Sequence, residues 1–321
     1  MNKGVAIQII LLLSDYFALR EAYTLDISYE NCTLCPRQCH ADRRTNTGFC
    51  RSGNTVRAAR ASLHMWEEPC ISGGNGSGTV FFSGCVLKCC FCQNYKISAE
   101  NFGKELNVSE LADIFLRLAD DGADNINLVN PTHFLPSIIP ALEIAKRKIS
   151  LPVIYNSGGY ERTETIRALD GLIDVYLPDI KYYSPEISAE YSAAPDYFEY
   201  AMPAVREMFR QTGKIQLDEN GLIRKGLIIR HLVLPTHRHD SFRVLDEIAK
   251  NFPTDDIFIS LMSQYTPFYK SCEHKEINRR ISTFEYSSVC DHAVELGLNG
   301  FMQERSSAKE EYTPEFDLTG L

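Results

Sequence analysis

No apolar run here is long enough for a membrane helix. Val5 to Leu13 spans nine residues, where about 20 are needed. A secretory leader is a poor fit too: Lys3 precedes the run, but Ser14-Asp15 follows it and no small-x-small cleavage site is evident before Cys32. A short docking helix or an extended start is expected there instead. Positive charge is scarce, with 33 Lys and Arg against 42 Asp and Glu, a net −9 and a pI near 5.5. That excludes a general nucleic-acid surface and leaves room only for a local basic groove. Cysteine, at 11 in 321 residues, is too sparse for a disulfide-stapled scaffold, and an odd number cannot pair fully. With 44% hydrophobic and 23% charged residues and no internal repeat, disordered, collagen-like and coiled-coil classes are excluded.

What is present is a globular chain, sized for one large domain or one domain with an appendage. Nine of its cysteines lie between Cys32 and Cys92, at short spacings that suit metal better than disulfides. A reducing, cytoplasmic setting is expected. Residues 1–78 read as a Cys-rich N-terminal extension ending in the glycine-rich run Ser72 to Gly78. From Thr79 to about residue 303, short β-branched runs alternate with amphipathic stretches, and 304–321 read as a tail.

Strands are expected at Thr79 to Ser83, Asn125 to Val129, Val153 to Asn156, Val175 to Ile180, Leu227 to Leu234, Ile257 to Met262 and Leu298 to Met302. Leu111, Ile114, Phe115 and Leu118 predict a helix with Ser109 as its cap, and Ser282 with Glu285 forms a capping box for the last helix, stopped by Gly297. About six βα units result, so the expected fold is an α/β partial (β/α)6 TIM-like barrel with a small Cys-rich N-terminal appendage. Cys85, Asn130 to His133, Asn156 to Gly159, Asp179 with Lys181, Pro235 to His237 and Ser263 to Tyr265 all fall at carboxyl ends of strands. In such a barrel that is the face where active sites form.

Cys85-x3-Cys89-x2-Cys92, with Cys90 as a spare, puts three thiols on one tight loop. They can hold three irons of a [4Fe–4S] cube and leave the fourth open. A zinc knuckle recruiting Cys90 or Cys70 is the bland alternative. A ferredoxin-type carrier would want a fourth cysteine and has no use for a barrel. Upstream, Cys32-x2-Cys35-x3-Cys39-x10-Cys50 offers four thiols, enough for a closed zinc site or an accessory cluster, with reduced structural cysteines as the plain alternative. Spacing does not choose zinc or iron.

At its three-cysteine motif, with Phe91 before the last cysteine, the sequence resembles the radical SAM superfamily. Cys32 to Cys39, Trp66-Glu-Glu-Pro69, Leu128 to His133, Tyr155 to Tyr160, Leu177 to Lys181 and Arg230 to Pro235 look like the uncharacterised proteins related to pyruvate formate-lyase activating enzyme. The resemblance implies an oxidoreductase that cleaves S-adenosylmethionine (SAM) reductively to a 5′-deoxyadenosyl radical, most like an activase that takes a glycine Cα hydrogen from a partner enzyme. It equally admits another peptide, a small metabolite or RNA as substrate. It implies a [4Fe–4S] cluster on Cys85, Cys89 and Cys92, SAM as cofactor, and an external one-electron reductant such as flavodoxin or ferredoxin. From a different class, a zinc-stabilised binding module would explain the cysteines but not the polar strand ends.

With the strand-end placement, the resemblance implies a cofactor site built from Phe91, Asn130, Thr132, Asn156, Ser157, Asp179 and Lys181. Where family members carry a Gly-Gly-Glu type segment, this chain has Asn130-Pro131-Thr132-His133. The candidate catalytic residue there, His133, is a hydrogen-bond donor, a proton carrier or a packed residue. Asp179 and Lys181 alternate onto one side of their strand and look like the Asp-x-Lys segment of activating enzymes; an ordinary ion pair is the alternative.

Overall fold

The structure is a computed structural model that describes residues 27–303 and 314–321. The apolar run Val5 to Leu13 therefore lies outside the described residues. The strands are β1 (Val56–His64), β2 (Ser77–Phe82), β3 (Lys104–Leu106), β4 (Ile126–Val129), β5 (Val153–Ser157), β6 (Val175–Pro178), β7 (Gln216–Leu217), β8 (Ile223–Leu232), β9 (Phe258–Met262) and β10 (Gly300–Met302). The helices are α1 (Pro69–Ser72), α2 (Tyr95–Ser98), α3 (Val108–Asp120), α4 (Leu135–Ala145), α5 (Thr163–Arg167), α6 (Pro185–Ser192), α7 (Tyr197–Thr212), α8 (Arg238–Asn251) and α9 (Thr283–Glu295).

The sheet order is β10-β9-β8-β6-β5-β4-β2-β1-β3, with β7 paired to β8. From β2 to β10 the neighbours are parallel. Every residue of β2, β5 and β6 is buried, as expected of parallel strands covered on both faces. Six strand–helix units and a last strand make the open, partial barrel that the alternation implied.

The strands read from sequence are all present, with their ends displaced by a few residues. Strand β1, antiparallel to β2, carries no sequence signal of that kind: Val56-Arg-Ala-Ala-Arg-Ala-Ser is rich in alanine, which favours strands little. Its outer edge is covered in two parts, by β3 against Val56 to Ala58 and by the carboxyl-terminal residues. Leu318 N donates to Ala59 O at 3.0 Å, and Ala61 N donates to Thr319 O at 2.9 Å.

One cap is corrected. Helix α3 begins at Asn107, whose side chain accepts from Glu110 N at 3.0 Å while Glu110 Oε2 accepts from Asn107 N at 2.8 Å. Ser109 already lies inside the helix. The Ser282/Glu285 box on α9 stands as read, and Gly297 follows that helix with φ +70°.

Gly159, at the turn after β5, has φ +76°, and a Cβ there would overlap the Asp179 carbonyl. The close approach lets Tyr197 Oη lie 2.8 Å from Gly158 O and 2.9 Å from Asp179 O while accepting from Lys181 N at 3.0 Å. One phenol thus fixes two strand ends. Gly159→Ala is expected to destabilise the fold by about 1–3 kcal/mol through backbone strain, read as a lower urea midpoint at unchanged slope.

Candidate active site

The chain leaves β2 through Ser83-Gly84, and the loop that follows carries Cys85, Cys89 and Cys92. Each of their sulfurs meets a polar group already in place. Leu87 N donates to Cys85 Sγ at 3.4 Å, Ser192 Oγ to Cys89 Sγ at 2.9 Å, and Ser98 Oγ lies 3.2 Å from Cys92 Sγ. Because Ser192 donates to sulfur, Tyr182 Oη, 2.7 Å from Ser192 Oγ, donates to Ser192 in turn. Burial pushes the Cys85 thiol up to about 11 and Cys92 to about 12, so metal binding there must displace protons. Cys90 is different. Its backbone is tied to Tyr191 O at 2.8 Å and Lys270 N at 2.7 Å, and its side chain belongs to the apolar layer of Val86, Tyr182 and Ile277.

Cys89 and Cys92 line a cavity of about 410 Å³ at the carboxyl end of the sheet, within the usual range for a small-molecule site. The same cavity is lined by a buried charge network. Arg230, on β8, donates Nε to Asp179 Oδ1 at 2.9 Å, Nη1 to Glu67 Oε2 at 3.3 Å and Nη2 to Asn156 Oδ1 at 2.5 Å. Lys181 Nζ donates to Asp179 Oδ2 at 2.5 Å. Burial alone would raise the Asp179 carboxyl, but Lys181 and Arg230 together outweigh it and hold it below the usual range. Burial raises Glu67 and Glu68 above theirs despite Arg230, each with a neighbouring acid adding to the rise. Glu68 Oε2 is buried and has no hydrogen-bond partner.

Of the residues expected at a cofactor, Phe91, Asn156, Asp179 and Lys181 line this cavity. Asn130 stands beside it, bracing the cysteine loop: its Nδ2 donates to Gly84 O at 2.7 Å, and its Oδ1 is 3.8 Å from Cys85 Sγ. Thr132, Ser157 and His133 are buried and do not line it. Asn130 takes φ +58°, and just beyond it Thr132 Oγ1 donates to Glu161 at 2.7 Å and accepts from Tyr155 Oη at 3.1 Å. Ser157 Oγ accepts from Gly159 N at 3.3 Å. His133 Nε2 is 2.7 Å from Ser83 O, and burial, aided by Arg43, pushes its ring down to about 3. It is a neutral brace for the start of the cysteine loop, far from a proton carrier at the cavity. Cys39 and Cys50 meet at Gly48 and Cys32 lies beside Arg43; neither these three nor Cys35 lines the cavity.

Sequence reasoning gave no role to Glu67, Glu68 or Arg230, although the segments holding them stood out. The available signal was an arginine inside Leu227-Ile-Ile-Arg-His-Leu232, since a charge in a strand buried on both faces requires a partner.

The donor chemistry fits a cluster and SAM. Three soft sulfurs sit on one loop, two of them lining a cavity whose other lining residues offer both signs of charge and, at Glu68, an unpartnered carboxylate oxygen. The sequence pattern of the Radical SAM superfamily matches residues 79–215. An uncharacterized protein of Methanocaldococcus jannaschii is 33% identical over 281 residues, 84% of this chain and 76% of that one. A radical SAM methyltransferase from Sphaerobacter thermophilus superposes with a TM-score of 0.50 at 13% identity, over 71% of this chain and 66% of that one. For anSMEcpe, solved with bound AdoMet, the TM-score is 0.47 at 14% identity, over 69% and 61%. The chain thus spans less than two thirds of each of these two solved chains, and at such identities the likeness concerns the fold alone. Among the described residues no helix is long and apolar enough to cross a membrane.

Proposed function

The chain belongs to the radical SAM superfamily, and from that premise we propose that Cys85, Cys89 and Cys92 hold its [4Fe–4S] cluster and that SAM binds in the cavity beside them. When bound, the pair supplies one chemistry: an electron from an external reductant cleaves SAM to methionine and a 5′-deoxyadenosyl radical, which takes a hydrogen atom from substrate. The observation that carries this reading is the cavity itself, lined both by Cys89 and Cys92 and by the Glu67–Arg230–Asp179–Lys181 network.

The chain's own residues bind and orient. Lys181 and Arg230 can meet a carboxylate, while Glu67 and Glu68 give the wall an acidic excess that suits an ammonium or sulfonium group. Phe91, Val129, Leu232 and Met262 supply apolar surface that excludes water around a reactive species. Asn130 and His133 hold the cysteine loop. A zinc-stabilised binding module leaves the charged cavity without a purpose.

For the substrate, we favour a glycine-bearing polypeptide segment, as in an activase. Two features support it: the Asp179-x-Lys181 segment, and a cavity mouth edged by Met65 and Trp66, 46% and 51% exposed, a surface suited to polypeptide. Flavodoxin or ferredoxin in a reducing cytoplasm would provide the electron. Incubating reduced protein and SAM with glycine-Cα-deuterated peptides or proteins is expected to move deuterium into 5′-deoxyadenosine. Transfer from a metabolite or an RNA, and none from any polypeptide, would reject the activase reading.

A further inference from the structure

Arg43 is 1% exposed, yet its hydrogen-bond partners are mostly neutral carbonyls. Nε donates to Ser52 O at 2.9 Å, Nη2 to Gly53 O at 2.6 Å and Nη1 to His133 O at 2.5 Å. The rings of Tyr29 and Phe134 lie 4.9 and 5.7 Å away. Among the described residues no carboxylate forms an ion pair with it. A buried cation without a counter-ion is costly, so an anionic centre belongs beside it. What does lie beside it is sulfur: Nη1 is 3.9 Å from Cys32 Sγ.

The thiols of Cys39 and Cys50 converge from the other side, each 3.4 Å from the Cβ position of Gly48, with the Arg43 side chain equally close. Cys35 lies within electrostatic reach of Cys32 and Cys50. All four cysteines are free of disulfides. The loop is wound tightly about them: Cys32 N donates to Ala41 O, His40 N to Cys32 O and Gln38 N to Cys35 O, all at 3.0 Å. Asn31, Gln38, His40 and Arg51 have φ of 46, 37, 53 and 65°, and each adjoins a cysteine of the set. Non-glycine residues hold that conformation only where the surroundings fix it, as a metal centre would.

Which centre follows from the sulfur spacing. Four thiolates on one tetrahedral zinc, with bonds of about 2.3 Å, sit about 3.8 Å apart. Among the described residues the one set of three or more potential ligands whose donor atoms all lie within 4.8 Å of one another is Glu190, His274 and Glu276. That set is half-exposed and already engaged, with His274 Nδ1 3.1 Å from Glu190 and Tyr191 Oη donating to Glu276 at 2.6 Å. Neither the Cys32 set nor the Cys85 trio closes to that distance. Neither set is closed around a single tetrahedral ion, whereas a cluster, in which each thiolate binds a different iron, accepts sulfurs that stand further apart.

We propose that Cys32, Cys35, Cys39 and Cys50 hold a second iron–sulfur cluster of the [4Fe–4S] class, with Arg43 as its buried counter-cation. It would lie between solvent, at exposed Cys39, and the catalytic loop, where Arg37 Nε donates to Val86 O at 2.9 Å and Lys88 Nζ sits 4.7 Å above the Phe49 ring.

The inference does not rest on SAM chemistry, and the test separates the two. The variant Cys85→Ala/Cys89→Ala/Cys92→Ala, reconstituted anaerobically with iron and sulfide, is expected to be brown, to retain about four irons per chain, and to give on reduction an EPR signal that SAM does not change. A soluble but colourless triple variant, with zinc or with no metal, overturns the proposal. The complementary Cys39→Ser/Cys50→Ser variant keeps the catalytic trio and is expected to bind half the wild-type iron; undiminished iron there also overturns it.

Discussion

Cys89→Ala protein is expected to lose the cavity-side cluster completely, while Cys90→Ala protein keeps it. The two sulfurs are neighbours in sequence, and local structure separates them. Cys89 lines the cavity and accepts from Ser192, which is fixed by Tyr182, whereas Cys90 packs into the apolar layer against Ile277. Removing Cys89 deletes an iron ligand. Removing Cys90 leaves a small void, for which about 1–2 kcal/mol is the expected cost. Iron and sulfide analysis after anaerobic reconstitution, together with the change that SAM makes in the reduced cluster's EPR signal, reads both variants. A SAM-responsive cluster in Cys89→Ala, with none in Cys90→Ala, would show that the loop presents its thiols in another register.

Arg230→Ala should be the most damaging substitution outside the cysteines. Arg230 is the common partner of Asp179, Glu67 and Asn156, so its loss leaves buried carboxylates short of counter-charge, a penalty of about 3–5 kcal/mol. Arg230→Lys is expected to recover little, because one ammonium cannot reproduce a fork that reaches three side chains. Lys181→Ala is a useful contrast. Asp179 retains Arg230, so the fold should hold, while SAM affinity falls by the ~2–5 kcal/mol typical of a lost desolvated charge contact. Urea denaturation of the three variants beside wild type checks the order. Equal stability of Arg230→Ala and wild type would mean that the network is open to water.

The parallel strands were legible because each is a short apolar run bounded by turn residues, and the cysteine loop because its spacing is tied to one kind of chemistry. The charge network was not. Glu67, Asn156, Asp179 and Arg230 come from four separate segments, and only the closing of β5, β6 and β8 side by side brings them together. Thr132 and His133 are the opposite case. They sit at a strand end, as active-site residues often do, yet both are buried in hydrogen bonds to Glu161, Tyr155 and Ser83 and do not line the cavity, a placement that the residue types around Pro131 do not announce. Asn107 was missed as a cap because the apolar period was aligned to Ser109, although Asn107 with Glu110 has the same capping-box spacing as Ser282 with Glu285.

The central claim is that the cavity beside Cys89 and Cys92 is where SAM is reductively cleaved. Its most direct test is chromatographic: anaerobically reconstituted wild-type protein is mixed with dithionite and SAM, and the products are followed over time. The expected result is 5′-deoxyadenosine with methionine, formed only when both reductant and SAM are present and absent from Cys89→Ala protein. A fully loaded, reducible wild-type protein that leaves SAM intact would contradict it.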